Sequence, residues 1–158
     1  MQKIILISGL TNNHVIGKDN SLPWYIKEDF QLFKEKTLEN VIIMGRKTWE
    51  SLPKKPLSKR ENIVISRTME AGDGYLVFTS LADGIKYSSQ EHQDKDIFII
   101  GGASIYTEGL DYATHMYLSH IKKEYEGDTY FPKFDENQWN VTKQKEYDEF
   151  VFNVWERK

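Results

Sequence analysis

The chain has 158 residues, a formal net charge of −3, 39% hydrophobic and 13% aromatic residues, and no cysteine. This length fits a single folded domain over residues 1–158, and the apolar content excludes an intrinsically disordered chain. The slightly negative balance gives no overall positive field for nucleic acid or a membrane surface, and the absence of cysteine excludes disulfides and thiol catalysis.

The first predicted element is a strand over residues 3–10, an aliphatic run typical of a strand that is covered on both faces of a parallel sheet. This run is too short for a secretory signal, and no stretch approaches the ~20 apolar residues that cross a bilayer. We therefore expect a cytoplasmic protein. The following loop, residues 12–23, is punctuated by glycine and proline but keeps apolar groups, so it can fold over a ligand.

Asp29 is the most informative residue, because it is a charge on the apolar side of a predicted helix between Trp24 and Leu38. The residues that recur at helical spacing on that side are Ile26, Phe30, Phe33 and Thr37. No cation lies three or four positions away, so desolvation should raise the pKa of the carboxyl unless a ligand supplies hydrogen-bond donors. A solvated aspartate, or one that accepts a local hydrogen bond, is the alternative that this pattern alone leaves open.

Two strand–turn–helix units follow. The strand Val41–Met44 leads through Gly45 into a short helix that ends near Leu52, and the strand Asp96–Ile100 leads through two glycines into a helix over Ala103–Leu110. Between these units we predict strands at Asn62–Ser66 and Tyr75–Phe78, and a helix at Leu81–Ser88 with Ser80 as its N-cap. This alternation predicts βαβ topology and a mainly parallel sheet.

The C-terminal part differs, because its predicted strands lack long intervening helices. They are Met116–Ile121, Trp139–Lys143 and Phe150–Trp155. Strands joined in this way typically pair as antiparallel neighbours, so we expect antiparallel strands at one edge of the sheet.

Three turns are candidate anion sites. The turn Gly45–Thr48 opens a helix and adds two cations and a hydroxyl, and Gly101-Gly102 lets a ligand approach the backbone at the end of a buried strand. Ser66-Arg67 could bind an additional phosphate. Each has an ordinary alternative, namely a basic turn, a common glycine turn or a surface pair, and none is a GxGxxG fingerprint.

Several kinds of catalytic site have no sequence support. The four histidines, His14, His92, His115 and His120, lack metal-ligand spacing, and no GxSxG, Walker A or cysteine nucleophile occurs. Metal-based and covalent catalysis are therefore disfavoured. A buried carboxylate with cations and glycine turns suits a redox reaction that a soluble cofactor carries.

Taken together, the motifs of this chain resemble those of bacterial-type dihydrofolate reductases in order and spacing along nearly the whole length. They are Val15-Ile16-Gly17, Leu22-Pro23-Trp24, Asp29, Phe33, Met44–Ser51, Ile100-Gly101-Gly102, Tyr106 and Glu126–Pro132. The resemblance implies a single-domain α/β fold, with a mixed, mainly parallel eight-stranded sheet flanked by helices and an antiparallel C-terminal strand. It also implies NADPH-dependent reduction of 7,8-dihydrofolate to 5,6,7,8-tetrahydrofolate, in support of one-carbon metabolism.

The same resemblance implies a substrate site. Asp29 would hydrogen-bond the 2-amino group and N3 of the pterin, with Ser119 near it through a hydroxyl and a water. Arg60 would bind the α-carboxylate of the glutamate tail through two parallel bonds, its alternative being a solvent-exposed cation in a basic loop. The pterin and aminobenzoyl pocket would be lined by Ile7, Ser8, Phe33, Leu52, Leu57 and Ile100.

The implied NADPH site combines the glycine turns. Arg46, Ser66 and Arg67 would favour the 2′-phosphate that separates NADPH from NADH, and Gly101-Gly102, joined by a cis peptide bond, would meet the pyrophosphate. The full implied set is Ile16, Gly17, Gly45, Arg46, Lys47, Thr48, Ser66, Arg67, Gly101, Gly102, Ala103, Ser104, Ile105 and Tyr106.

The mechanism implied by the resemblance is direct hydride transfer from nicotinamide C4 to pterin C6 while a water protonates N5. Asp29 would bind and polarise the substrate, because in the family arrangement it lies too far away to deliver that proton. Leu22 would exclude bulk solvent from the site under the loop Ile16–Trp24. Tyr106 would contact both rings, with helix-to-sheet packing as its alternative role.

The chain departs from familiar members of this family at three places. Leu22 stands where several have methionine, the segment Leu57–Arg60 lacks their proline-glycine step, and the connection from Lys145 to Phe150 is shorter. We therefore expect a closed loop state, with Asp128 near Gly17, to persist while an occluded state is weakened.

Two other functions remain open at this point. One is another NADPH reductase on the same fold, such as the pyrimidine reductase of riboflavin synthesis; the other is a catalytically silent pterin- or nucleotide-binding protein. No long apolar surface stripe demands a partner chain, so we expect a monomer.

Overall fold

The computed structural model describes residues 1–158, and eight of its ten strands form one sheet. These strands are β1 Ile4–Leu10, β3 Val41–Gly45, β4 Glu61–Ile65, β5 Tyr75–Phe78, β6 Ile97–Ile99, β7 His115–Ile121, β9 Trp139–Glu146 and β10 Phe150–Arg157. Their order is β5-β4-β3-β6-β1-β7-β10-β9, and only β10 runs antiparallel to its neighbours. The expected mixed, mainly parallel sheet with an antiparallel C-terminal strand is confirmed.

Four α-helices cover the sheet. They are α1 Lys27–Thr37, α2 Arg46–Ser51, α3 Leu81–Glu91 and α4 Ala103–Gly109, and a 3₁₀ turn spans Glu136–Gln138. The predicted N-cap of α3 is confirmed, because the Ser80 hydroxyl oxygen accepts a hydrogen bond from the backbone N–H of Asp83 at 3.1 Å.

The helix that carries Asp29 differs from its prediction in two respects. It begins at Lys27, because the preceding segment is extended and inserts Trp24 and Ile26 into the core. Its inward side includes Leu32, which is buried, whereas Phe30 is 42% exposed. The expectation that Phe30 packs inward is therefore wrong: Leu32 points into the core and Phe30 lies at the surface.

The sheet separates two layers of apolar side chains. Successive residues of β1 alternate between its faces, so Leu6 and Leu10 join a cluster of 18 buried residues with α3 and α4. The opposite face carries the second core cluster, which consists of Ile5, Ile7, Ile42, Met44, Trp49, Val64 and Phe98. Beside it, under α1, lies the third core cluster of Trp24, Ile26, Leu32, Ile121, Phe150, Phe152 and Val154. Helices α1 and α2 therefore share one face of the sheet.

A second, two-stranded sheet closes the loop after β1. Its strands, β2 Val15–Gly17 and β8 Thr129–Tyr130, pair in antiparallel fashion. The sequence pattern did not reveal this pair, because each strand is short and its partner is distant along the chain. The backbone N–H of Asp128 donates to the Gly17 carbonyl at 3.0 Å, which confirms the predicted proximity of these two residues. No helix is both long and apolar enough to span a bilayer.

Candidate active site

The candidate site lies where the parallel strands end. Gly9 near the end of β1 pairs with Ser119 of β7, and the N–H of Gly45, at the end of β3, donates to the Gly101 carbonyl at 2.8 Å. Carboxyl ends of parallel strands share one edge of a sheet, which is the usual ligand edge of open α/β folds. The topology thus brings the aspartate helix and both glycine turns to one edge.

Asp29 lies in the first turn of α1 and points toward β1. A Cβ atom on Gly9 would stand 3.2 Å from Asp29 Oδ2, so the glycine leaves room for the carboxylate. Burial raises the pKa of Asp29, and the Ser119 hydroxyl partly offsets this shift. None of the ion pairs of the structure involves Asp29, so the carboxylate has no cation of the protein beside it.

Trp24 is a site residue that sequence reasoning missed. Its ring also approaches Gly9, with Cζ2 3.2 Å from the position of an added Cβ, so it lies beside the Asp29 carboxylate. Its indole Nε1 is buried and has no hydrogen-bond partner. Buried donors are normally paired, so this N–H is available to a water or a ligand acceptor. An apolar pattern shows that a tryptophan is buried but not that its N–H is unpaired.

An apolar wall borders the carboxylate. Ile7 belongs to the second core cluster, and four of the other predicted pocket residues pack against that cluster while remaining partly exposed. These four are Phe33, Leu52, Leu57 and Ile100. They come from three separate segments of the chain, and a partly exposed apolar surface of this kind suits a flat aromatic ligand. The Ser8 hydroxyl donates to the Gly9 carbonyl at 2.8 Å, at the base of the same region.

Arg60 is anchored at the far end of α1. Its Nη1 donates to the Thr37 hydroxyl at 3.0 Å, and its Nε donates to the Ser58 carbonyl at 2.9 Å. Burial lowers the pKa of this guanidinium, which nevertheless stays charged at neutral pH. Although the segment Leu57–Arg60 lacks the proline-glycine step, two hydrogen bonds hold the arginine in place, and its remaining donors are available.

The two glycine turns contact each other through Thr48. Added Cβ atoms on Gly101 and Gly102 would lie 3.4 and 3.5 Å from Thr48 Oγ1, and the peptide bond between these glycines is cis. Gly101 has φ +122°, a backbone conformation that favours glycine. The turns therefore form one continuous surface, on which Gly101 is buried and the Gly102 backbone and the Thr48 hydroxyl are partly exposed.

Cations and a hydroxyl follow two adjacent strands. Gly45 pairs with Ile65 in the β3–β4 ladder, so Arg46 and Ser66 leave the sheet side by side. Ser66 Oγ accepts hydrogen bonds from the N–H groups of Thr68 and Met69, and its hydroxyl also lies 3.5 Å from the Thr68 hydroxyl. Arg46 makes only a 3.7 Å contact with Glu50. The exposed Arg67 and Lys47 complete this positive rim.

Tyr106 is buried between α4 and β1. Its hydroxyl donates to the Ile7 carbonyl at 2.6 Å, and burial raises its pKa far above the ordinary value. It therefore stays protonated near neutral pH and is a weaker acid than an ordinary tyrosine. Its ring also lies against Gly101, 3.4 Å from the position of an added Cβ. Tyr106 therefore both packs between helix and sheet and contacts the glycine turn.

Leu22 lies in the segment that β2 leads into, and it is 44% exposed. Ile16 of the same loop is buried, and Asp128 Oδ2 accepts a hydrogen bond from the Asp19 N–H at 3.0 Å. This contact and the Thr129 hydroxyl hold the pKa of Asp128 below its usual range. The base of the loop is thus fastened, while Leu22 stays accessible to a bound molecule.

Comparisons with known proteins agree with this arrangement. A family model described as "Dihydrofolate reductase" matches residues 3–157. The dihydrofolate reductase of Buchnera aphidicola subsp. Acyrthosiphon pisum (strain APS) is 48% identical over 83% of this chain and 80% of its own length. That of Neisseria gonorrhoeae is 40% identical over 92% of this chain and 89% of its own length. A solved structure of the Enterococcus faecalis enzyme, complexed with NADP(H) and RAB-propyl, has a TM-score of 0.89 at 27% identity, covering 99% and 96% of the two chains.

Proposed function

Because the chain belongs to the dihydrofolate reductase family, we propose that it reduces 7,8-dihydrofolate to 5,6,7,8-tetrahydrofolate with NADPH as the hydride donor. The observation that carries this proposal is Asp29, a half-buried carboxylate at the ligand edge of the sheet with no cation of the protein beside it. The other NADPH reductases considered above share the fold, but the family model and the named relatives favour dihydrofolate as the substrate.

Asp29 binds and polarises the pterin. A carboxylate that has lost hydration gains most from charge-assisted hydrogen bonds, and the adjacent N–H groups of the 2-amino group and N3 supply two of them. The Ser119 hydroxyl already compensates part of the burial. Trp24 Nε1–H, beside the same carboxylate, donates to a water or to an acceptor of the substrate.

The apolar wall and Arg60 hold the rest of the substrate. The partly exposed side chains against the second core cluster contact the flat rings, since they offer aromatic and aliphatic surface beside a single acid. Arg60, fixed by Thr37 and Ser58, directs its remaining donors to the glutamate α-carboxylate. The apolar wall and Arg60 therefore orient the substrate through its rings and through its carboxylate end.

The residues at the glycine turns fit a dinucleotide with an additional phosphate. Gly102 is partly exposed and has no side chain, so its backbone allows the close approach that a pyrophosphate needs, and the Thr48 hydroxyl faces both glycines. Arg46, Ser66 and Arg67 lie at neighbouring strand ends, where they favour the 2′-phosphate of NADPH. When bound, the cofactor supplies a hydride from nicotinamide C4, which passes to pterin C6.

The loop over residues 16–24 controls the proton that N5 receives. Asp128 and the β2–β8 pair fasten its base, so Leu22 covers the substrate and excludes bulk solvent while one water reaches N5. Tyr106 is not the proton source, because its hydroxyl is held by the Ile7 carbonyl.

The test is an absorbance assay of purified protein with NADPH and 7,8-dihydrofolate. We expect NADPH oxidation in the wild type and a loss of turnover of about 10- to 100-fold or more in Asp29→Asn at neutral pH, since a charged hydrogen-bond acceptor disappears. NADPH affinity, measured separately by fluorescence titration, should change less than twofold.

Three outcomes would distinguish the proposed function and the role of Asp29 from their alternatives. NADPH binding with no oxidation by the wild type would identify a silent binding protein. Equal losses of turnover and of NADPH affinity in Asp29→Asn would contradict the assigned role. Oxidation with a pyrimidine substrate of riboflavin synthesis, but not with dihydrofolate, would identify the other reductase.

A further inference from the structure

A pair of exposed aromatic side chains stands beside Asp29. Tyr25 is 77% exposed and Phe30 is 42% exposed, although large aromatic side chains are mostly buried in folded proteins. Their ring centroids lie 5.2 Å apart at an interplanar angle of 33°. Phe30 directly follows Asp29 in α1, so this pair lies close in the chain to the candidate site.

Packing of the fold does not account for Tyr25. It belongs to none of the three core clusters, and its hydroxyl makes no hydrogen bond. The flanking Trp24 and Ile26 are buried in the third core cluster, and because this segment is extended, Tyr25 points to the opposite side. Its two neighbours therefore fix its backbone, while its ring contacts Phe30 at the surface.

The pair continues the apolar wall of the site outward. Phe33, one helical turn after Phe30, packs against the second core cluster while remaining partly exposed. Phe30 and Phe33 are therefore neighbours on the surface of α1, and the Tyr25 ring contacts Phe30. Exposed apolar surface next to a half-buried carboxylate is typical of a ligand-binding groove.

We propose that Tyr25 is a positioning residue for the aminobenzoyl part of the substrate. It holds the Phe30 ring in a fixed orientation, and Phe30 presents its other face to the benzoyl ring of dihydrofolate. This inference rests on the proposed function, because only a substrate with an aryl group beyond the pterin would use this pair of rings. Tyr25 acts through Phe30 and touches none of the reacting atoms.

A structural role and a positioning role for Tyr25 predict different results with two substrates. One is 7,8-dihydrofolate; the other is 6-methyl-7,8-dihydropterin, which keeps the pterin but lacks the aminobenzoylglutamate. Tyr25→Ala should raise KM for dihydrofolate about threefold to tenfold, as expected for the loss of one aromatic contact, with little change in kcat. Its kcat/KM for the small pterin should equal that of the wild type.

The chain offers matched controls. Tyr25→Phe keeps the ring and should restore the wild-type KM, because the hydroxyl has no partner. Tyr112→Ala removes a tyrosine that is 43% exposed on the connection from α4 to β7, at the opposite edge of the sheet. It should change the kinetic constants for neither substrate. Thermal unfolding of each variant verifies folding, and Tyr25→Asn provides a soluble replacement should Tyr25→Ala fold poorly.

The outcomes separate this inference from the proposed function. Unchanged KM for dihydrofolate in both Tyr25→Ala and Tyr25→Asn, or equal losses with both substrates, would overturn the positioning role while leaving the proposed function intact. No oxidation of NADPH by the wild type with either substrate would overturn the proposed function, and this inference with it.

Discussion

Asp29 has two opposing properties, because the burial that suits it to bind a pterin also destabilises the folded chain. Desolvation raises its pKa in the folded state, while the unfolded chain has a value near 3.8. The folded chain therefore binds this proton more tightly, so stability falls as the pH rises from about 3.8 to the raised folded-state pKa. The penalty is absent below pH 3.8 and complete above the raised pKa.

We therefore expect Asp29→Asn to be less active but more stable. The gain in stability at neutral pH should be about 0.5–2 kcal/mol, the size that single stabilising substitutions commonly give. It should vanish below pH 3.8, where the wild-type carboxyl is protonated in both states. Urea unfolding of both proteins across this pH range is the measurement, with Asp111→Asn, at an exposed position, as the control. A gain that does not depend on pH would contradict the burial of a charge at Asp29.

At the scale of elements, Asp128 joins the β2–β8 pair to the loop that carries Leu22. Its side chain accepts hydrogen bonds from the Asp19 N–H and the Thr129 hydroxyl, and its own N–H donates to Gly17. Asp128→Ala should remove the side-chain contacts and lower the hydride-transfer rate about threefold to tenfold, because the closed loop is less populated.

Asp128 is fully exposed, so the same substitution should leave the unfolding temperature nearly unchanged. Single-turnover kinetics with bound NADPH measures the transfer step, and Asp111→Ala serves as an exposed control. A large loss of stability without a change in rate would show that the contact holds the fold rather than the loop.

Most elements were predictable because their signals are local. The buried strands β1, β3 and β6 are continuous aliphatic runs, and Ser80 caps α3 as its residue type indicates. Asp29 was detectable for a related reason, since a charge on an apolar side is visible in a single helical pattern.

Other features depend on distant residues and gave no local signal. The β2–β8 pair joins segments more than one hundred residues apart. The N–H of Trp24 is unpaired because no acceptor from another part of the chain lies within hydrogen-bond distance. The exposure of Phe30 depends on how α1 sits between two core clusters, which its own spacing does not specify. Family resemblance supplied residue roles that these patterns alone left open.

At the scale of the whole molecule, the sheet has one edge strand that is almost entirely exposed. Seven of the eight residues of β9 are exposed, and its outer backbone groups have no neighbouring strand. An open edge of this kind favours association with another chain unless charged side chains protect it. Lys143 and Lys145 stand opposite Val154 and Phe152 of β10, so they place two ammonium groups beside the apolar third core cluster.

We expect the wild type to be a monomer of 18.6 kDa, with these two lysines preventing edge-to-edge pairing. Replacing both by valine raises strand propensity and removes the charge, so the double variant Lys143→Val, Lys145→Val should self-associate at concentrations where the wild type does not. Sedimentation velocity measures this, and the polar double variant Lys143→Gln, Lys145→Gln separates charge from apolar surface. The site lies at the carboxyl ends of the central strands, away from this edge, so turnover per chain should persist in dilute solution. A monomeric valine variant would show that the lysines are not what keeps the edge free, and a dimeric wild type would contradict the expected monomer.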